Sequence, residues 1–312
     1  MATSGSTNFS QTRNEIITDA LQLLGVLGAG DTAAANDVTF CSSMLNKMVK
    51  AWQGQGIHLW KETEGTVFLI DGQSEYTLSS SGAKAGDNAV ETTLSASGSG
   101  TTLTVTSTTG MTAADQIGIE LDNNTRQWTT IVSVDSSTAL TITTALTSAA
   151  ASGNTVFTYT TAINKPLYIT SARHRNSDNI DRPIRLDGRV EFMNLANKTT
   201  EGVPNQIFYA PQLTTGKLYV YPTPDDVSDR LKISYIKMLD DFDASGDDAD
   251  FPSEWLEALT YNLSVRVAPS YGINLQKRSP EILVMAGTSL LNMELWDAEN
   301  SSVRIVPNNR YD

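Results

Sequence analysis

Apolar residues recur at spacings of three and four near both ends of the chain, and at spacings of two through its middle. In residues 251–272 the positions Leu256, Leu259, Leu263 and Val267 form one stripe, which predicts an amphipathic helix. Pro252-Ser253 marks its start, the Ser253 hydroxyl being placed to accept a bond from a free N–H of the first turn. Ala268-Pro269 marks its end, because proline lacks an N–H and restricts its predecessor. Nearer the N-terminus, Thr12 and Glu15 fit a capping box. Ile16, Ile17, Ala20, Leu21, Leu24 and Leu27 follow at helical spacing, and glycines between 25 and 30 supply the stop. A second helix, with Asp31 as its cap, carries Val38, Cys41, Leu45, Met48 and Trp52 on one face and ends at Gly54 and Gly56. Together they read as an αα-hairpin. Beyond Pro269, Ser279-Pro280 opens a last helix with Leu283, Ala286, Leu290 and Met293 as its stripe.

The middle of the chain alternates. Residues 66–70 and 75–78 predict two strands with Asp71-Gly72 as the turn between them. Residues 79–100 are rich in Ser, Gly and Ala and read as a loop between sheets. Residues 101–159 predict about five short strands separated by turn formers such as Gly110, Asp122-Asn123-Asn124 and Ser152-Gly153-Asn154, a pattern that suits a small barrel or sandwich. Further strands are expected at 167–169, 184–186, 206–209, 217–222 and 230–235, with Pro222 and Pro224 ending one that holds an edge. The fold class expected is α+β. Residues 1–62 and 251–300 would form a discontinuous α-helical domain, and 63–250 a large inserted all-β region of antiparallel sheets. Within that region 101–160 is a small barrel-like sub-module, and 301–312 is a C-terminal arm.

The order of residues carries more than the periodicity. Tyr261-Asn262-Leu263-Ser264-Val265-Arg266-Val267-Ala268-Pro269-Ser270-Tyr271 resembles the "NLA-R-AP-YG" helix end of the head-to-tail adaptor proteins of short-tailed phages, also called connector or packaged-DNA stabilisation proteins. The N-terminal hairpin agrees. Leu24-Gly25-Val26-Leu27-Gly28, then Asp31, then Leu45-Asn46-Lys47-Met48-Val49-Lys50-Ala51-Trp52 and Gly56-Ile57 are similar to that family's "LGVxG" and "LN-MV-AW-xxGI" segments. The middle order GVPNQ, GKLYVYPTP, LKISYIK and DFP resembles its longer members, in which β structure is inserted between the helical parts. The resemblance implies a ring of identical subunits, dodecameric like the portal above it, that joins the DNA-filled head to tail or nozzle proteins. It implies localisation in the virion at the head–tail junction after synthesis in the host cytoplasm. Trp296, Val303, Arg304, Ile305, Arg310 and Tyr311 are the candidate portal-interface residues under this reading.

Charge and chemistry narrow the classes. The net charge of −13 argues against gripping DNA, which calls for a basic face, and suits a channel wall past which DNA slides without sequence-specific binding. No apolar run approaches the roughly 18 residues of a membrane span, so no membrane partner is expected. The N-terminus lacks the basic-then-apolar order of a secretory signal. The single cysteine, Cys41, excludes an internal disulfide and reads as a small buried hydrophobe. His58 and His174 fall in different predicted modules, and nothing places either beside a nucleophile, so no catalytic residue is assigned. Asp241, Asp243, Ser245 and Gly246 match the first positions of a calcium loop, but Pro252 stands where the bidentate glutamate belongs. That stretch reads as a solvated acidic linker; no metal and no cofactor are expected. Arg173, Arg175, Arg182 and Arg185 are interleaved with Asp178, Asp181 and Asp187, which suggests an inter-subunit salt-bridge face. Two alternatives remain open: a tail-completion or nozzle ring, and a carbohydrate-binding tail component built on the 101–159 module.

Overall fold

The computed structural model describes residues 5–56, 59–82 and 84–297. The chain is α+β, with a large all-β region inserted between helices. It divides into two compact units, one made of residues up to Lys61 and from Leu239 onwards, the other of Glu62–Met238.

The first unit holds α1 (Arg13–Leu23), α2 (Ala35–Gln55), α4 (Leu256–Val267), α5 (Leu275–Arg278) and α6 (Pro280–Trp296). The capping box forms as the sequence predicts: the Glu15 carboxylate accepts from Thr12 N–H at 2.7 Å, and the Thr12 hydroxyl accepts from Glu15 N–H. Other expected caps do not form. Asp31 folds back to accept from Gly28 N–H at 3.1 Å, so α2 begins four residues later behind Ala34 with no side-chain cap. Ser253 also fails to cap; a 3-10 turn, Ser253–Trp255, leads into α4 instead, and the Ser253 hydroxyl donates to Glu254. Pro280 takes the first position of α6 as expected, although Ser279 makes no side-chain bond.

One core unites this unit. Ile16, Ile17 and Leu21 of α1 and Cys41, Leu45 and Met48 of α2 pack with Leu259, Leu263 and Val267 of α4. Trp255 is fully buried, its ring 5.9 Å from Trp52 and 5.1 Å from Trp60, with Phe251 at 5.6 Å. Tilted arrangements at such separations add to the area these rings bury. Helix α4 packs against both α1 and α6. It ends where proline stops the ladder, in a 3-10 turn Ala268–Tyr271 closed by Gly272 at φ +68°.

The second unit contains β1 (Glu62–Phe68), β2 (Glu75–Leu78), β3 (Ala85–Asp87), β4 (Val90–Thr93), β5 (Thr102–Thr104), β6 (Gln116–Glu120), β7 (Arg126–Val134), β8 (Ala139–Ile142) and β9 (Thr155–Tyr159). These are followed by β10 (Thr161–Ala162), β11 (Tyr168–Arg175), β12 (Asp181–Pro183), β13 (Arg185–Leu186), α3 (Arg189–Met193), β14 (Gln206–Pro211), β15 (Gly216–Tyr221) and β16 (Arg230–Ile236). A six-stranded sheet runs β10-β3-β1-β16-β11-β12, and a four-stranded sheet runs β13-β14-β15-β2. Val67, Leu231 and Ile233 from the first meet Tyr76, Ile207 and Leu218 from the second in a shared core, which makes the pair a sandwich.

Three expectations fail here. Strands β1 and β2 are not a hairpin, since they lie in different sheets. Gly72, at φ +72°, donates its N–H to Pro224 O, and the turn carries the chain from one layer to the other. Residues 79–100 are not simply a loop: they supply β3, which lies between β1 and the distant β10, and β4, which pairs with the distant β9. And β15, which Pro222 ends, is interior, with β14 on one side and β2 on the other.

The remaining sheet, β4-β9-β6-β7-β8-β5, curls until its end strands meet. Leu94 bridges Val105, and Thr106 N–H donates to Thr93 O at 2.8 Å, so backbone bonding closes a small barrel over 90–159. A bulge in β7 between Ile131 and Ser133 bends that strand along the way. Leu103, Ile117, Ile119, Leu140 and Val156 fill the interior. Among the described residues no helix is long and apolar enough to cross a membrane.

Candidate interaction surfaces

The last helix buries one side and exposes another. Ile282, Ala286 and Ser289 of α6 are buried, and Asn262 of α4 donates to Ala286 O at 3.0 Å. Away from that contact, Val284, Leu291 and Leu295 are 64%, 54% and 68% exposed, and Trp296 is 54% exposed. Spacings of seven and four put Val284, Leu291 and Leu295 on one stripe. Apolar surface gathered on one face and left in water marks an interaction site. Its signal was in the sequence: ILVMAGTSLLNMELW is apolar nearly all round, more than one packed face requires. Of the portal-interface candidates, Trp296 is exposed at the last position of α6, about 100° round the helix from Leu295, while Val303, Arg304, Ile305, Arg310 and Tyr311 lie outside the described residues.

The arginine group is largely engaged within the chain. Arg175 clasps Asp181 through two nitrogens at 2.6 and 2.7 Å, which holds the Asp181 carboxyl below its ordinary range. Arg173 pairs with Glu64 and reaches Asp181 at 3.6 Å, and Arg185 pairs with Asp187 at 2.5 Å. Arg182 is exposed on the edge strand β12. A pair as open to solvent as Arg173–Glu64 contributes little stability.

Where barrel meets sandwich, the second unit buries charge. Arg230, 1% exposed on β16, pairs with Glu91 of β4 and donates to Asn179. Arg126 of β7 donates to Thr155 at 3.0 Å, and burial pushes its guanidinium down to about 10. Both guanidiniums lie against Phe157, at 4.5 Å for Arg126 and 4.8 Å for Arg230. Phe68 of β1 adds a ring 5.1 Å from Phe157, with Trp128 and Tyr159 beside it. Sequence reasoning missed this cluster, because an arginine in an alternating strand reads as solvent-facing.

The candidates for chemistry are sealed or paired. His174 is buried, its Nε2 2.6 Å from Asp229, with no hydroxyl or thiol among its described partners. His58 lies outside the described residues. Burial pushes the Cys41 thiol up, the reverse of what a nucleophile needs. In the acidic stretch, Asp241 pairs with Lys50, Asp250 pairs with Lys61, and Asp247 accepts from Asp243 and Ala244 N–H groups. Among the described residues no group of three or more His, Cys, Asp or Glu could hold a metal ion.

Residues 124–276 match the SU10 adaptor protein family. The resemblance to phage head-to-tail adaptors read from the sequence is thereby borne out. The match covers just under half of the chain, from the turn before β7 through the second half of the sandwich to α4 and α5. It takes in GKLYVYPTP, LKISYIK and the helix end NLSVRVAPSYG, and stops short of the exposed stripe of α6. No curated protein matches the chain. The SU10 adaptor family suggests a phage adaptor protein.

Proposed function

We propose that this chain is a head-to-tail adaptor whose copies form a ring beneath the portal. The ring takes the portal's twelvefold symmetry, extends the DNA channel and helps retain packaged DNA at the head–tail junction of the virion. The observation that carries this reading is an adaptor-family match in a chain that also exposes an apolar helix stripe, Val284, Leu291 and Leu295, with Trp296 exposed at the same helix end. Head-to-tail rings use two different patches on each copy, and they close only when the rotation fits, so a portal template supplies what the free chain lacks.

In this reading residues 1–62 and 251–300 act as one helical domain, which their common core supports. That domain and the segment 301–312 engage the portal, through Trp296, Val303, Arg304, Ile305, Arg310 and Tyr311, and the β region 63–250 receives tail or nozzle proteins. Between identical subunits the group Arg173, Arg175, Arg182 and Arg185 contributes, with Arg182 on its exposed edge strand the best placed. The charge of −13 lets DNA pass the wall without adhering. The chain would be made in the host cytoplasm and incorporated there.

The test is the mass of the complex formed with the purified portal ring of the same phage. A discrete set of added copies, absent without portal, is expected. A chain that ignores the portal, or forms its own ring without it, would overturn the proposal.

A further inference from the structure

On the flank of α4 away from α6's packing partner Asn262, the N-terminal segment, α1 and α4 enclose a groove of about 700 Å³. Phe9, Leu23 and Tyr261 give it apolar walls, and Phe9 is 70% exposed there. Asp19, Glu254 and Glu257 line it as well, and no lysine or arginine does among the described residues. An occupant must therefore bring apolar side chains with positive charge beside them. The exposed stripe of α6 from another copy fits poorly, because Glu281, Glu294 and Asp297 accompany it on that helix.

We propose that residues 303–311 of the free chain, VRIVPNNRY, seat in this groove of the same molecule. The stretch carries Arg304 and Arg310 and no acid, and it alternates Val303 and Ile305 with Arg304. Its apolar side chains meet Leu23 and Tyr261 while its arginines meet the carboxylates. The chain is long enough. Asn262 and Ala286 touch at five and six residues from the ends that the α4–α6 connection joins, so α6 runs back along α4. The last turn of α6 therefore lies level with the 3-10 turn Ser253–Trp255 and the first turn of α4, where Glu254 and Glu257 stand. Six residues lie between Trp296 and Val303, seven Cα–Cα steps in all, a reach of up to about 23 Å. Neighbouring helix axes are about 8–10 Å apart, so a path over α4 to α1 is within that reach. A tethered segment also acts at an effective concentration on the order of millimolar, which favours its own groove over another copy's. This inference does not rest on the portal reading, and its test needs no portal.

The experiment uses the full chain carrying Leu23→Cys and Ile305→Cys, with Cys41 left in place because its thiol is buried. Under mild oxidation at micromolar concentration, a monomer with an internal disulfide is expected. It should form about tenfold faster than in the control pair Val284→Cys and Ile305→Cys, since a bound segment raises local concentration at one site only. Adding Glu254→Lys and Glu257→Lys should slow it by about tenfold, and added salt should slow it too. Equal rates in the two pairs, indifference to the charge reversals, or disulfide-linked dimers in place of the monomer would each overturn the proposal.

Discussion

The guanidinium carbon of Arg230 lies 4.8 Å from the ring centroid of Phe157, and so joins β16 of the sandwich to β9 of the barrel. The same arginine pairs with Glu91 on the neighbouring barrel strand. Burial lowers its proton affinity and Glu91 restores part of it, so the charge is retained at the cost of desolvation. Arg230→Ala would leave Glu91 without its partner and strip one cover from Phe157. Because Glu91 keeps partial access to water, the expected loss is about 2–3 kcal/mol, below the range for a fully buried pair. Urea unfolding of the full chain measures it, and Arg230→Lys should recover only part, since an ammonium lacks the planar fork.

A second contact at this junction depends on having no side chain. A Cβ on Gly86 of β3 would stand 2.2 Å from the Tyr159 ring, which is itself held by Phe68 and Trp128. The ring cannot retreat without disturbing both neighbours. Gly86→Ala should destabilise the second unit by about 1–3 kcal/mol. Val132, exposed on β7, offers a control: Val132→Ala should shift the same melting curve little.

Some of this architecture is legible in the residues and some is not, and the difference is physical. The Thr12–Glu15 box is local, four residues that satisfy one another, so reading it needs no partner. The stripes of α1, α2 and α4 are also local, because a helix presents its face wherever it packs. Strand pairing is different. Asp71-Gly72 specifies a reversal but not which sheet receives the next strand, and β1 and β2 part company there. Strands β3 and β4 carry few large apolar side chains, and their order comes from Tyr159, Phe157 and other residues some 70 positions away. Of the candidate surface, the helix itself is legible from Leu283, Ala286, Leu290 and Met293, whereas its exposed stripe is not, because core spacing says nothing about which other apolar residues stay in water. The α1–α4 groove had no sequence signal at all, since its walls come from three separate segments.

The capping box gives a pH dependence with a definite sign. The Thr12 backbone N–H, then its hydroxyl, hold the Glu15 carboxyl below its usual 4.5. A carboxyl depressed in the folded state stabilises above its ordinary value, and that contribution disappears as pH falls through the folded value. Hydrogen-exchange protection at residues 12–16, taken relative to the intrinsic exchange rate at each pH, should therefore be high at neutral pH and fall below the usual 4.5. In Thr12→Ala the protection should be low at every pH, because the cap is gone. A wild-type profile that stays flat down to pH 3 would contradict the assignment.

The exposed stripe on α6 separates stability from assembly. Leu291 and Leu295 are 54% and 68% exposed, so replacing them removes little packing inside one chain. Leu291→Lys with Leu295→Lys should change unfolding free energy by no more than about 0.5 kcal/mol each, the usual scale for open surface. In a ring or against a portal the same pair would place charge in an apolar contact, where burial without a partner is costly. Loss of portal binding with an unchanged melting curve is the expected result. A buried neighbour gives the converse control: Ala286 touches Asn262 through its carbonyl and has no room for bulk, so Ala286→Leu should lower the melting temperature itself. If the double lysine variant instead melts early, α6 is held by its exposed residues in a way the single chain does not account for, and the stripe is no interface. If it melts normally and still binds portal, the contact lies elsewhere on the helical unit.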